Sequence, residues 1–458
     1  MGHLYIAAAH KSSGKTSVSI GLTSALARKG VAIQTFKKGP DYIDPLWLTR
    51  AAGRPCYNLD FFTQTHDEIL QTFACNQPGA DISVIEGNKG LFDGVDTEGS
   101  DSNAALAKLL GAPVVLVIDT GGMTRGIAPL INGYLGFDAD VNIGGVILNK
   151  VGGSRHETKL RAAIERYTGA EVLGAIGRDA GLEIPERHLG LVPANEATGL
   201  GTADITIARL ADAVAAGVDL DRITELARAA RVPAIQQEPP AAMPKPDIRV
   251  AIARDAAFGF YYQDDLEAFA RAGAELVPFD TTRDLHLPAA DGLFIGGGFP
   301  ETHLEALSAN TELMADVRRA LDGGMPAYAE CGGLMYLTRS IHWQGSKHGM
   351  VGFVPADTRM EKRPQGRGYM LVQESANHPW PNPSAASEPL PAHEFHYARL
   401  VNLPAGTVFA RRVMRGDGID GRHDALVINR LMAGFAHFRN SKANPWVERF
   451  VAFVRQNR

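Results

Sequence analysis

Cysteine is scarce in this chain: Cys56, Cys75 and Cys331 are widely spaced and odd in number, which excludes a disulfide framework and leaves no CxxC pair for a metal. Long apolar runs are missing too. No stretch approaches the about 18 residues of a membrane helix, and the start MGHLYIAAAHKSSGKT lacks a basic leader segment, so it reads as a first strand rather than a secretion signal. The expectation is a cytoplasmic protein without a membrane partner. Charge of one sign is also lacking, since 46 Lys and Arg stand against 51 Asp and Glu without single-sign runs. That removes the electrostatic footprint of a nucleic-acid binder, so a small anionic substrate has to be held by local groups.

What is present is a two-domain α/β pattern over 458 residues. Short apolar runs, LYIAAA, VAIQTF, ISVIEG, PVVLVID, GGVILN and HLGLVP, alternate with amphipathic stretches such as Thr16 to Arg28. This alternation predicts a doubly wound, mostly parallel sheet. The segment 235–247 holds Pro239, Pro240, Pro244 and Pro246, which disfavour helix and ladder alike and predict a linker. Domains are therefore expected at 1–234 and 248–458. The pattern restarts with IRVAIA, ELVPFD, GLFIGGG and PAYAECGG and then becomes more irregular, with Asn377 to Pro391 reading as a surface loop.

The run AHKSSGKTS follows the first strand and opens a helix, where backbone N–H groups and the helix dipole face an anion. Gly14, Lys15, Thr16 and Ser17 form the core of a phosphate loop, although Ala9 stands where its first Gly is usual. At the carboxyl edge of the next strands, where such sheets bind ligands, FKKGPDYIDP supplies Lys37, Lys38, Asp41, Tyr42 and Asp44, and VIEGNKGLFDG supplies Glu86 and Asp93. Carboxylates here suit a hard cation that bridges phosphates; singly, each is equally well an ordinary cap or turn residue. Asp119 and Asn149 end further strands at this edge, Asn149 being either an adenine-edge reader or a turn residue.

In the second half, Cys331 lies between a strand and an apolar helix, a turn that exposes a nucleophile and aims the helix N-terminus at it. Gly296, Gly297 and Gly298 leave another strand end, where backbone N–H groups can serve an oxyanion. His437 is the candidate base. His393 and His396 in HEFHY read as structural or substrate residues, having no third metal ligand spaced for them.

Taken together, AHKSSGKT, FKKGPDYIDP, EGNKGLFDG, GGGFPE, YAECGGLMYL, HEFHY and AHFRNSKANP resemble the cobyrinic acid a,c-diamide synthase family over nearly the whole chain. The resemblance implies a domain similar to dethiobiotin synthetase fused to a class I glutamine amidotransferase, with ATP and Mg2+ as cofactors, glutamine and a tetrapyrrole polycarboxylate as substrates, and a homodimer. It implies Cys331 as nucleophile with His437 as base, and an oxyanion hole at Gly297, Gly298 and Gly332. It further implies Thr16, Asp41 and Glu86 around magnesium, Asn149 at adenine, and Lys37, Tyr42, Asp44 and Asp93 on the substrate side. Asn88 and Lys89 replace small or apolar residues, and Arg439 stands two after His437 where many class I enzymes have Glu, leaving the orienter of His437 open.

The macrocycle also stays open, among cobyrinate, hydrogenobyrinate, sirohaem, sirohydrochlorin and its nickel complex. Outside this chemistry stand a glutamine hydrolase or carboxylate kinase without transfer, and a phosphate-loop ATPase switch with a degenerate second domain. The switch lacks its signature lysine, His10 occupying that position.

Overall fold

In the first unit, consecutive residues of each strand are buried alternately in apolar clusters on the two faces of one sheet. Tyr5, Phe36, Ile85 and Leu116 lie in one cluster, Leu4, Val84 and Val117 in the other. A strand buried on both faces must be apolar throughout, which is why these segments carry continuous runs. The computed structural model describes residues 2–187, 190–196, 202–231, 243–381 and 388–458. It divides into two compact units, Met1–Pro239 and Pro240–Arg458.

The first unit holds β1 (Gly2–Ala8), β2 (Ile33–Lys38), β3 (Tyr57–Leu59), β4 (Ile82–Glu86), β5 (Val114–Asp119), β6 (Ile143–Val151) and β7 (Val172–Gly177). They form a seven-stranded sheet in the order β3-β2-β4-β1-β5-β6-β7, parallel throughout. The carboxyl ends of β1, β2 and β4 are neighbours, so the loop into α1 (Lys15–Arg28), the turn into α2 (Ile43–Ala52) and Glu86 converge. HLGLVP is not a strand of this sheet. Its described part is a two-residue strand, β9 (Gly190–Leu191), paired antiparallel with β8 (Glu186–Arg187). The edge position belongs to β7, whose VLGAIG is too short and Gly-interrupted to stand out in the sequence.

The second unit carries a nine-stranded sheet in which β12 (Ala274–Phe279), β10 (Ile248–Ala253), β13 (Gly292–Ile295), β15 (Ala327–Glu330) and β24 (Leu431–Gly434) are neighbours in that order and run parallel. The sheet continues antiparallel through β23 (His423–Ile428), β22 (Val408–Arg415), β19 (Gly366–Glu374) and β20 (Leu390–His396). β11 (Phe258–Phe260) pairs with β14 (Gly297–Gly298) beside it. A four-stranded sheet is built from β16 (Ser340–Trp343), β17 (Ser346–Gly349), β18 (Asp357–Met360) and β21 (Ala398–Val401). The irregular section of the sequence is thus largely antiparallel sheet. Leu390 and Pro391, expected in a loop, open β20, and Trp380 is buried. Residues 382–387 of that loop and 235–242 of the expected linker lie outside the described residues. Among the described residues, no helix is long and apolar enough to cross a membrane.

Candidate active site

The first unit's site begins with the turn from β1 to α1. Gly14, at φ 84°, caps the helix, and a Cβ there would lie 2.1 Å from the amide nitrogen of Asn149, so the position requires glycine on two counts. Asn149 donates from that nitrogen to the Ser13 carbonyl at 2.8 Å, holding the loop from below. Ser17 follows on α1.

Beyond the loop, Thr16 donates to Glu86 Oε1 at 2.7 Å and to Asp44 Oδ2 at 3.3 Å, and Lys15 Nζ lies 3.3 Å from Glu86 Oε1. Lys37, expected to present its ammonium to a substrate, is instead buried within this acid cluster. Its Nζ lies 2.6 Å from Asp44, 3.0 Å from Glu86 and 3.7 Å from Asp41. Burial would lower the Lys37 pKa, but the Asp44, Glu86 and Asp41 carboxylates more than reverse this and raise it well above the ordinary range. Burial and the adjacent Asp44 carboxylate push Asp41 up to about 7. Asp44 stays below its ordinary value because the Lys37 and Lys15 ammoniums outweigh burial. Lys15 itself is lowered, by burial and by Lys37.

Glu86 Oε2 is buried and accepts no hydrogen bond among the described residues. The Thr16 hydroxyl and the carboxylates of Asp41, Asp44 and Glu86 are hard-oxygen donors of the kind magnesium takes, gathered here around the Lys37 ammonium. No three acidic, His or Cys side chains of the described residues converge as a metal cage. Tyr42 is buried at the start of α2. Asp93 is exposed, and its carboxylate closes a turn by accepting from Gly90 N at 3.1 Å. Asp119 is tied to Lys150 at 2.8 Å.

In the second unit, β15 ends at Glu330 and the helix Gly332–Leu337 begins just after Cys331. Cys331 adopts φ 46°, ψ −101°, a conformation costly to a residue with a Cβ and characteristic of a sharp strand–nucleophile–helix turn. Its sulfur hydrogen-bonds His437. Gly332 opens the helix, where N–H groups have no intrahelical partner. A Cβ on Gly297 would lie 2.5 Å from His437 Cε1, and one on Gly332 would lie 3.1 Å from Gly298 N. Gly297 thus admits the imidazole, while Gly332 and Gly298 let their backbone segments approach each other and Ala257.

The orienter of His437 is Glu330, which sequence reasoning missed. Its Oε2 lies 3.2 Å from His437 Nδ1, while Oε1 accepts from the Tyr328 hydroxyl at 2.8 Å and from Phe438 N at 3.2 Å. Burial would lower the His437 pKa, yet the hydrogen bonds to Cys331 and Glu330 and their charges raise it to about 10. Imidazolium beside sulfur is the arrangement in which a cysteine attacks as thiolate. The available signal was the acid directly before the nucleophile in AEC. Arg439 faces elsewhere, pairing with Asp264 at 2.6 Å over the Tyr262 ring.

His393 stacks on His437 with ring centroids 4.9 Å apart, and burial together with His437 holds its pKa well below the ordinary value. His396 stacks on Phe435. Neither joins a metal cluster among the described residues.

Comparison with known proteins accounts for both units. Residues 4–192 match the model of the CobQ/CobB/MinD/ParA nucleotide binding domain, and residues 249–445 that of the CobB/CobQ-like glutamine amidotransferase domain. A cobyrinate a,c-diamide synthase of Magnetococcus marinus is 45% identical over 99% of this chain and 97% of its own. One from Methanosarcina acetivorans is 39% identical over 94% of this chain and 91% of its own, and one from Archaeoglobus fulgidus 39% over 96% and 94%.

Proposed function

This chain is a member of the cobyrinate a,c-diamide synthase family, and from that premise we propose that it converts the a and c acetate carboxylates of cobyrinate to primary amides. It is an amidating ligase that takes its nitrogen from glutamine. The observation that carries the reading is the presence, on one chain, of a thiol–imidazole–carboxylate centre and a lysine–carboxylate cluster behind a phosphate loop.

At the thiol centre, the Cys331 thiolate attacks the glutamine carboxamide, and N–H groups around Gly297, Gly298 and Gly332 stabilise the oxyanion. His437, steadied by Glu330, gives its proton to the leaving nitrogen. Ammonia departs, and water then releases glutamate from the glutamyl thioester. In the proposed division, 248–458 performs this half and 1–234 the other, joined by 235–247.

A carboxylate at neutral pH does not yield to ammonia, because its leaving group is too poor. Attack of a substrate acetate oxygen on the γ-phosphorus of ATP releases ADP and forms an acyl phosphate. Ammonia then displaces phosphate at the acyl carbon. The loop from Gly14 to Ser17 holds the phosphates, Asn149 reads the adenine, Tyr42, Asp44 and Asp93 serve the substrate side, and Lys37 holds the Asp44 and Glu86 carboxylates in place. Thr16, Asp41 and Glu86 would hold magnesium, which when bound neutralises charge on the transferring phosphoryl group. A cytoplasmic homodimer completes the proposal.

Mass spectrometry of cobyrinate after incubation with the protein, ATP, magnesium and glutamine tests the reading. Two carboxyl-to-amide conversions are expected. Selective amidation of sirohaem or a sirohydrochlorin would reassign the substrate, and glutamine hydrolysis without any amide product would sink the ligase reading.

A further inference from the structure

Lys37 and Lys38 are consecutive on β2, so their side chains leave opposite faces of the sheet. Lys37 enters the acid cluster described above. Lys38 lies on the other face with its stem buried and its ammonium reaching solvent, and no hydrogen bond or ion pair meets that ammonium among the described residues. An ammonium carried to solvent on a buried stem, with no ion pair of its own, is placed to meet an arriving anion.

The carboxylates nearest in charge are already engaged. Asp60 accepts from the Thr63 hydroxyl at 2.9 Å, and Asp101 accepts from Val95 N at 2.9 Å and Asp96 N at 3.1 Å. A second cation faces Lys38 from the turn after β4. Lys89 is exposed there and close enough to act on Lys38 electrostatically. That turn is fixed rather than loose: Asn103 accepts from Asn88 N at 3.0 Å and donates to the Gly90 carbonyl at 2.7 Å. Asn88 also packs over the Gly39 turn, where a Cβ would lie 3.1 Å from its amide nitrogen. Lysine stem, asparagine and second lysine therefore sit on the sheet edge next to the acid cluster, with two ammoniums that make no ion pair among the described residues, Asp60 and Asp101 acting on Lys38 only from a distance.

We propose that Lys38 and Lys89 form a carboxylate-binding subsite that grips a non-reacting acidic side chain of the polycarboxylate substrate and thereby sets which acetate is presented to the acid cluster. This rests on the amidating-ligase reading for the identity of the ligand. Nucleotide phosphate is the other anion at this edge, but the phosphate loop and Lys37 address the opposite face of β2. A charge-assisted contact of this kind, lost from a semi-enclosed site, weakens binding by about tenfold or more.

The test is calorimetric binding of cobyrinate, and separately of ATP, to the full chain and to Lys38→Met and Lys89→Met, without glutamine. Lys38→Met should weaken cobyrinate binding about tenfold, and the exposed Lys89→Met a few-fold, with ATP binding unchanged. Lys38→Arg should recover most of the loss, which a purely structural role of the ammonium would not predict. Unchanged cobyrinate affinity in both Met variants overturns the subsite, as does weakened ATP binding in place of weakened cobyrinate binding. Should Lys38→Met fail to fold, the exposed Lys89→Met decides alone. Wild-type protein that binds cobyrinate through these lysines but never amidates it would sink the ligase reading and leave the subsite standing; wild-type protein that does not bind cobyrinate overturns both.

Discussion

The acid cluster of the first unit and the thiol centre of the second are both buried assemblies of charge at the carboxyl edge of a sheet, yet they are finished to different degrees. Around Cys331 the demands of the site are met from within: Glu330 uses one oxygen for His437 and the other for Tyr328 and Phe438, and His437 has sulfur on one side and carboxylate on the other. Around Glu86, by contrast, a buried carboxylate oxygen is left without a hydrogen bond, and Lys37 is shared among several acids. The difference follows the ligand. A neutral carboxamide brings no charge to complete a site, so its site must be complete beforehand. A nucleotide brings charged phosphates, and the cluster behind the phosphate loop keeps a carboxylate oxygen that its own residues do not pair.

The sharpest test of that contrast is Cys331→Ser. Glutamine-dependent amidation should fall by at least about 10⁴-fold while amidation with added ammonium persists; equal loss of both would merge the two sites into one. Glu330→Gln should lower glutaminase turnover by about 10²–10⁴-fold, again sparing the ammonium reaction. Its pH profile carries a sign. With the His437 pKa raised to about 10, the charged imidazole persists below that pH and is lost as pH rises through it. Removing the Glu330 charge moves the alkaline limb of glutaminase activity to lower pH, and an unmoved limb would refute the orienting role.

Lys15→Ala probes the other site and should cut both glutamine- and ammonium-driven amidation by about 10²–10³-fold with glutaminase spared. The smallest effect is expected from Asn149→Ala. Losing one hydrogen bond to the loop, worth about 1 kcal/mol, should raise KM for ATP about fivefold. A loss of discrimination between ATP and GTP, read in the same assay, would separate an adenine contact from loop support.

The parts legible in the sequence were those written in local chemistry. The phosphate loop, the Cys331 turn and most parallel strands announce themselves through apolar runs ending in Gly, Lys, Asp or Cys. The Glu330–His437 contact joins residues 107 apart in the chain and has no local signature beyond an acid before a cysteine. The position two after His437 pointed elsewhere, because Arg439 is committed to Asp264. Lys37 reads as a free ligand in FKKGPD, and only the pairing of β2 with β4, which sets Glu86 beside it, and the turn of Asp41 and Asp44 back onto it show that it is enclosed by acids. Likewise, β19, β22 and β23 of the antiparallel extension mix buried residues with half-buried and exposed ones without a regular period, a weaker pattern than the doubly buried strands before them. HLGLVP shows the opposite failure, an apolar run without a place in the main sheet.

Glu330 and Cys331 share a peptide bond, so the acid that steadies the base is inherited with the nucleophile rather than with the base. Recombination that exchanges the segment carrying His437 would leave the orienting charge behind on β15, waiting for whichever imidazole is brought to it. A library of chimaeras cut anywhere between Gly332 and Ala436 therefore keeps the acid–thiol pair intact and draws the histidine from the other parent.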